Sequence, residues 1–196
     1  MRGVSPTEMS VMKQSLAVFA ICGLAGWFAF AGDGPAVPYL DWGACPFECC
    51  TYREWIATDK VTLHTDRSLS SPVAFSVGKD QRVQGLTGVV ITTKVGRVKI
   101  LKPITLDDQE PVTLAPGDII HTLHYLGEGY ELFWFRGQLH SDQITGQKVE
   151  EVPDPAASWQ VLALPETEWW VKVKNAQGQV GWTKESDKFD NMDACG

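Results

Sequence analysis

Four of the five cysteines are the residues whose type and spacing point most directly to chemistry. Cys45, Cys49 and Cys50 lie within six residues, and Cys195 stands next to the last residue. Such thiols can form disulfides, bind zinc or supply a nucleophile. Zinc sites usually contain two separated cysteine pairs, and this cluster does not follow that pattern. We therefore expect disulfides, and we predict no metal and no other cofactor.

The expected pairing joins the two ends of the folded part. Cys49 and Cys50 are poor partners for each other, because neighbouring cysteines would close a strained ring. We expect one short loop, in which Cys45 pairs with Cys49 or with Cys50, and one long closure from the remaining thiol to Cys195. In the chain-entropy description, a closure of this length stabilises a fold by about 4 to 5 kcal/mol.

The first thirty residues have the composition of an export signal. Arg2 and Lys13 precede an uncharged stretch at 15–30, and Ala29-Phe30-Ala31 fits the small-x-small cleavage rule. We interpret 1–31 as a signal peptide that is removed. An uncleaved membrane anchor is the alternative, because the stretch is close to the shortest length that spans a bilayer. An exported chain would be periplasmic or extracellular, where thiols pair.

The charge of the chain argues against nucleic-acid binding. Asp and Glu number 24 against 17 Lys and Arg, which gives a formal net charge of −7. An acidic domain repels phosphate backbones and anionic lipid surfaces, and the sequence contains no basic stripe. The only membrane contact that we expect is the possible uncleaved anchor.

The four histidines do not show the spacing of a catalytic or metal site. His121 and His124 are three residues apart in a predicted strand, so their side chains would point to opposite faces and could not share a metal. His64 and His140 each have Asp or Ser neighbours, but the chain has no G-x-S-x-G elbow to position a serine nucleophile. We therefore predict no catalytic residue, and a small exported hydrolase is the weakest of the alternatives.

Short apolar strands follow one another along the rest of the chain and predict an all-β fold. Most runs have five or six residues, are rich in β-branched side chains and are bounded by Gly, Pro, Asp or Ser. Even spacing of such runs is typical of small barrels and sandwiches. The clearest runs are 73–77, 81–86, 89–93, 97–101, 119–126 and 130–136.

The predicted domains follow the turns between these runs. The turns at 77–80 and 115–118 each lead into a strand that ends at a glycine-bearing turn, and this likeness favours two similar barrels. The predicted division is a linker and cysteine-rich segment at 32–51, a first barrel at 52–101, a second barrel at 102–191 with an inserted loop at about 141–165, and a tail at 192–196 that carries Cys195.

The clearest predicted hairpin runs from Glu168 to Thr183. Its turn, Asn175-Ala176-Gln177-Gly178, supplies Asn and Gly where a tight turn needs positive φ. With a period of two, Trp169, Val171 and Val173 share one face, which we predict to be core. The opposite face, predicted to be exposed, carries Trp170, Lys172 and Lys174.

This hairpin resembles the closing strands of bacterial SH3-like (SH3b) domains, which carry a W-x-x-V stretch, a glycine turn and a Gly-Trp return. The matching residues are Trp170–Lys174 and Gly178–Lys184, and the segment Val61–Thr93 is similar to the opening part of such a domain. The first half departs from the pattern, because Gly96-Arg97-Val98 stands where a Gly-Trp return belongs. The resemblance implies two small SH3-like β-barrels in tandem and a non-catalytic role in holding cell-wall material or peptide segments.

Aromatic residues are the remaining candidates for a binding site. Eight tryptophans exceed what a small core needs, and exposed aromatics of SH3-like barrels bind extended peptides. We predict Tyr125, Tyr130 and Trp170 as ligand-binding residues; alternatively they cover the joint between the barrels. The predicted function is a non-enzymatic binding module of the cell envelope whose partner is a cell-wall glycopeptide or a protein segment. A structural or assembly subunit, with its aromatic face covered by a partner protein, is the alternative.

Overall fold

A computed structural model describes residues 34–106, 111–144, 146, 148–149, 151–152 and 154–195. The predicted signal peptide lies outside these residues. Among them, no helix is long and apolar enough to cross a membrane. The described chain is all-β, as predicted, apart from one short 3-10 turn at Ser186–Lys188.

Fifteen strands make up the described fold. In chain order they are β1 (Tyr39–Trp42), β2 (Glu54–Ala57), β3 (Val61–His64), β4 (Val73–Val77), β5 (Arg82–Lys94), β6 (Arg97–Ile100), β7 (Ile104–Thr105), β8 (Thr113–Leu114), β9 (Ile119–Gly127), β10 (Tyr130–Phe135), β11 (Gln138–Asp142), β12 (Trp159–Ala163), β13 (Glu166–Lys174), β14 (Val180–Thr183) and β15 (Phe189–Asp190).

The larger sheet is built around β5, which has 13 residues. β13 pairs along one edge of β5, while β2 and β1 pair with successive parts of the other edge. The strand order is β15-β2-β5-β13-β14-β3-β4, with β1 as an additional partner of β5, and the sheet curls into a half-barrel. A long central strand thus brings segments from both ends of the described chain together.

One face of this sheet buries the main core. Trp55, Leu63, Val171 and Val173 are completely buried there, and Trp169 packs against the cluster while remaining half-buried. The predicted core face of the β13–β14 hairpin is therefore confirmed for its two valines. The predicted turn is confirmed as well, because the Gly178 N–H donates to the Asn175 carbonyl at 3.0 Å.

A second sheet is formed by the residues between β5 and β13. Its order is β11-β10-β9-β6-β12, and its separate core includes Ile100, Ile120 and Phe133, all fully buried. β7 and β8 form a two-stranded ribbon. The Thr92 hydroxyl on β5 donates to the Leu123 carbonyl on β9 at 3.0 Å, which connects the two sheets.

The strand pairing differs from the predicted division at residue 101. The β13–β14 hairpin, which the prediction assigned to the second barrel, pairs with β5 and β3 instead. The chain leaves the larger sheet at Lys94, forms the second sheet, and returns at Glu166. The predicted loop at 141–165 also contains a strand, β12, which pairs with β6. Local patterns predicted where strands occur, but the partner of each strand depends on residues far away in sequence.

The disulfides follow the predicted scheme, in which Cys45 could pair with Cys49 or with Cys50. Cys45 pairs with Cys50, and Cys49 pairs with Cys195 across 146 residues. Backbone hydrogen bonds extend the second linkage, because the Ala194 N–H donates to the Cys49 carbonyl at 2.8 Å. Thiols that are paired in this way indicate an oxidising environment, such as exported proteins meet.

Candidate ligand-binding surface

The structure separates the three predicted ligand-binding residues into two places. Tyr125 and Tyr130 both belong to the β9–β10 hairpin, where the two residues are 36% and 41% exposed. The Tyr125 hydroxyl accepts a hydrogen bond from the Gly129 N–H at 2.9 Å, so this side chain supports its own turn. Trp170 lies on β13 in the other sheet.

Trp170 is buried, and the prediction that it is exposed is wrong. Only 3% of the residue is accessible, and it packs against Val89 and Trp182. Its indole N–H donates to a carboxylate oxygen of Glu168 at 3.1 Å. The predicted outer face is covered because Leu40 on β1 and Trp182 on β14 close over it. Trp170 therefore supports the surface above it and offers no ring face to a ligand.

That surface is formed by Trp42, Arg67, Lys172 and Trp182, and we call it the Trp42 surface. Trp42 is 56% exposed, although it is a tryptophan at the end of a paired strand. Its ring meets the Trp182 ring edge to face, with centroids 6.3 Å apart. Trp182 is itself only 9% exposed, so Trp42 is the part that reaches solvent.

Two cations lie over these rings. The Arg67 guanidinium carbon is 4.5 Å from the Trp42 centroid and 5.7 Å from the Trp182 centroid. The Lys172 ammonium lies 5.4 Å from the Trp182 centroid. All three distances are within the roughly 6 Å over which a ring quadrupole attracts a cation, an interaction of about 0.5 to 1 kcal/mol at exposed sites. Indole rings and positive charge are thus held side by side.

The loop between β3 and β4 positions Arg67. A ring nitrogen of buried His64 lies 2.9 Å from the Ser71 carbonyl, and the Ser71 hydroxyl donates to the Ser68 carbonyl at 2.8 Å. The Arg67 N–H donates to the Asp66 carboxylate at 2.7 Å. These local hydrogen bonds hold the loop, and the same Asp66 carboxylate lies 3.9 Å from Nε of the guanidinium that approaches Trp42.

Glu168 lies at the edge of the Trp42 surface and limits its positive charge. One of its oxygens accepts the Trp170 indole N–H, and the other lies 3.5 Å from the Lys184 ammonium. The carboxylate is thus already engaged by two donors. The Lys172 charge remains available to a negatively charged ligand, whereas the Arg67 guanidinium already has the Asp66 carboxylate 3.9 Å from its Nε.

The His124–Asp41 pair, which could suggest a general base, is structural. His124 Nε2 lies 2.8 Å from the Asp41 carboxylate, and Nδ1 lies 2.8 Å from the Tyr125 carbonyl. The imidazole is only 3% exposed. A general base has to reach the proton that it removes, and this ring has both nitrogens engaged inside the protein.

Sequence reasoning missed Trp42 because it assigned 32–51 to a linker and cysteine-rich segment. A signal was present in Tyr39-Leu40-Asp41-Trp42, where apolar Leu40 and Trp42 alternate with polar Asp41 just before a glycine. Period-two alternation of that kind is typical of a half-buried strand. The four residues form β1, which pairs with β5 from Thr92 to Val89.

No protein-family model matches the chain, and neither a curated protein nor a solved structure is significantly similar to it. The likeness to SH3-like domains thus remains a resemblance of the two segments quoted above.

Proposed function

We propose that this protein is a non-enzymatic binding module of the cell envelope, exported from the cytoplasm, which holds a cell-wall glycopeptide on the Trp42 surface. The observation that carries the proposal is an exposed indole, that of Trp42, with the Arg67 guanidinium 4.5 Å from its centroid. An indole can pack on the apolar face of a sugar ring, while neighbouring cations attract the carboxylates of the peptide part. Both chemistries occur together in a glycopeptide.

The proposed export is supported by the disulfides. Cysteines that are paired in the folded protein are common in secreted and periplasmic chains and rare in the cytoplasm. The composition of residues 1–31, which is that of an export signal, agrees with a location outside the cytoplasm. A cell-wall ligand would be accessible to the protein only in such a compartment.

We further propose a single SH3-like unit in place of the predicted tandem. The two segments that resemble an SH3-like domain, 61–93 and 170–184, contribute β3, β4, β5, β13 and β14 to one sheet. Residues 97–163 would then be an insertion between the opening and closing strands of that unit. This arrangement also accounts for the missing Gly-Trp return after β5, because the return lies beyond the insertion.

A pull-down with purified sacculi tests the binding function. Wild-type protein should be retained, and Trp42→Ala should weaken retention at least about tenfold, because truncating a central tryptophan of a binding site typically costs about 1.4 kcal/mol or more. Trp170→Ala is unsuitable, since the loss of a buried tryptophan would destabilise the fold by about 3 to 5 kcal/mol. Failure of wild-type protein to bind sacculi would refute the cell-wall ligand.

Tyr130→Ala is the matched control for Trp42→Ala. It removes a ring of similar exposure, 41%, from the other sheet. Unchanged retention of this variant would locate binding at the Trp42 surface. Loss of retention in Tyr130→Ala, with normal retention of Trp42→Ala, would instead favour the hairpin that carries Tyr125 and Tyr130.

An assembly subunit is the second candidate function. β4 is an edge strand of the larger sheet, and Val73 at its start is 57% exposed. Leu69, in the loop that precedes β4, is 58% exposed. Exposed apolar side chains beside an open edge suit strand addition by a partner protein. Cross-linking in the native envelope should then trap one dominant partner, and a spread of unrelated products would argue against this function.

A further inference from the structure

A cleft of about 410 Å³ lies on the second sheet, away from the Trp42 surface. Its walls include two arginines, Arg97 from the start of β6 and Arg136 from the turn between β10 and β11. His121 and Asp118 also line it. A volume of this size is within the roughly 300 to 1,000 Å³ of typical small-molecule sites.

Arg136 is the first residue of the two-residue turn Arg136-Gly137, which connects the paired residues Phe135 and Gln138. Its φ is 47°, in the left-handed region that side chains other than Asn, Asp and Gly rarely adopt. The guanidinium carbon lies 4.6 Å from the Phe135 centroid, and Nη2 is 3.5 Å from an Asp118 oxygen. The other Asp118 oxygen accepts the Ala115 N–H at 2.8 Å, which fixes the carboxylate. Positive φ at both Arg136 and Gly137 is what a two-residue hairpin turn requires, so the turn between β10 and β11 places Arg136, and Phe135 and Asp118 hold its guanidinium at the cleft.

Arg97 provides the second guanidinium. The Gly96 N–H donates to the Thr122 carbonyl at 2.8 Å and Val98 pairs with Ile120, so Arg97 lies opposite His121 in the antiparallel ladder. In the part of the chain that the structure describes, the Arg97 side chain has no ion-pair or hydrogen-bond partner. The fork of an unpaired guanidinium can donate two parallel hydrogen bonds to one oxyanion.

We propose that this cleft binds the carboxylate or phosphate group of a small anion between Arg97 and Arg136. The two arginines and Asp118 leave one net positive charge at the cleft, in a chain whose formal net charge is −7. Asp118 orients Arg136, and Arg97 supplies the unpaired donors. The proposal concerns the second sheet only and does not depend on the function proposed for the Trp42 surface.

Nuclear magnetic resonance titration tests this site. Inorganic phosphate and citrate are added separately to ¹⁵N-labelled protein at constant ionic strength, and the backbone and arginine Nε signals are followed. We expect saturable shifts at Arg97, His121 and Arg136. Saturation with phosphate alone would identify a phosphate ligand, saturation with citrate alone a carboxylate ligand, and saturation with both a general oxyanion site. The absence of saturable shifts with either anion would overturn the proposal.

Three variants distinguish binding of an anion in the cleft from a general electrostatic attraction between anions and the protein surface. Arg97→Gln should weaken binding about tenfold or more, and Arg97→Lys should restore only part of it, because an ammonium lacks the bidentate fork. Lys79→Gln is the control, since it removes an equal charge from an exposed turn outside the cleft. Equal weakening in the Arg97→Gln and Lys79→Gln variants, or unchanged binding in Arg97→Gln, would contradict the assignment.

Discussion

His124 connects β1 to β9. Its two ring nitrogens are bound by the Asp41 carboxylate and the Tyr125 carbonyl, and the ring is almost inaccessible. Hydrogen bonds that involve a charged group typically contribute about 1.5 to 3 kcal/mol. Asp41 lies next to Trp42 in sequence, so the same contact holds the strand that carries the exposed indole.

Replacement of His124 should therefore lower stability. We expect His124→Ala to reduce the free energy of unfolding by about 2 to 4 kcal/mol, because it removes the hydrogen bonds and leaves a cavity. Urea unfolding measures this change. A double-mutant cycle with Asp41→Asn should give a coupling energy of about 1 to 2 kcal/mol, whereas a cycle with exposed Asp187→Asn should give none. A coupling of zero between positions 41 and 124 would show that the contact does not contribute.

Tyr52 is the tyrosine whose ionisation the fold suppresses most clearly. Its hydroxyl donates to the Ala44 carbonyl and lies beside the Trp169 indole, in space left free by Gly88. Burial raises the pKa of Tyr52 to about 12 from its ordinary value of 10.0. The fold thus favours the neutral phenol, and this contribution to stability is complete below pH 10 and is lost as the pH rises towards 12.

An absorbance titration of tyrosinate should show this late ionisation. We expect one tyrosine of the folded protein to ionise with a pKa near 12, and we expect that step to disappear in Tyr52→Phe, which retains the ring contact with Trp55. Stability of the wild type should fall between pH 10 and 12 more steeply than that of the variant. An unchanged titration curve in Tyr52→Phe would contradict the assignment.

At the scale of elements, the two disulfides close loops of very different length. The Cys45–Cys50 bond closes a short loop, with a sequence separation of 5, and the Cys49–Cys195 bond closes nearly the whole described chain, with a separation of 146. The longer closure removes more freedom from the unfolded chain. It also brings the C-terminal tail beside the cysteine loop, where Arg53 donates to Asn191.

Removal of the long disulfide should cost more than removal of the short one. In the chain-entropy description, Cys49→Ser/Cys195→Ser should lower the free energy of unfolding by about 4 to 5 kcal/mol, and Cys45→Ser/Cys50→Ser by about 2 kcal/mol. Urea unfolding of the two double variants measures the difference, and each variant is the control for the other. Equal losses would show that native contacts, rather than loop length, set the contribution.

At the scale of the whole molecule, the second sheet is inserted into the path of the first. The chain runs through β1 to β5, forms β6 to β12, and returns to complete the larger sheet with β13 to β15. The described residues belong to one compact unit. Two tandem barrels would each contain a continuous stretch of chain and could unfold separately, whereas interleaved sheets depend on each other.

We therefore expect a single cooperative unfolding transition for the oxidised protein. Tryptophan fluorescence reports chiefly on the larger sheet, which contains Trp42, Trp55, Trp169, Trp170 and Trp182, whereas the second sheet contains Trp134 and Trp159. Far-ultraviolet circular dichroism reports on both sheets. The two urea curves should coincide. Two separate transitions, one of which changes the fluorescence only by the share of Trp134 and Trp159, would show that residues 97–163 unfold on their own.

The amino-acid sequence by itself determined the features that depend on neighbouring residues. Period-two alternation predicted an all-β chain and the burial of Val171 and Val173, and the Asn175–Gly178 stretch predicted the turn between β13 and β14. The cysteine positions predicted one short and one long disulfide. Strand periodicity, turn geometry and ring strain are local properties, so a single sequence is sufficient to read them.

Only the tertiary structure decided which distant segments meet. It placed the β13–β14 hairpin against β5 and β3, paired Cys45 with Cys50, and buried Trp170 in a cluster with Val89 and Trp182. It also showed that Trp42, in a segment that was predicted to be a linker and cysteine-rich region, exposes its ring beside Trp182 at the candidate site. Strand pairing and the covering of a sheet face depend on side chains far apart in sequence, and their local patterns allow several partners.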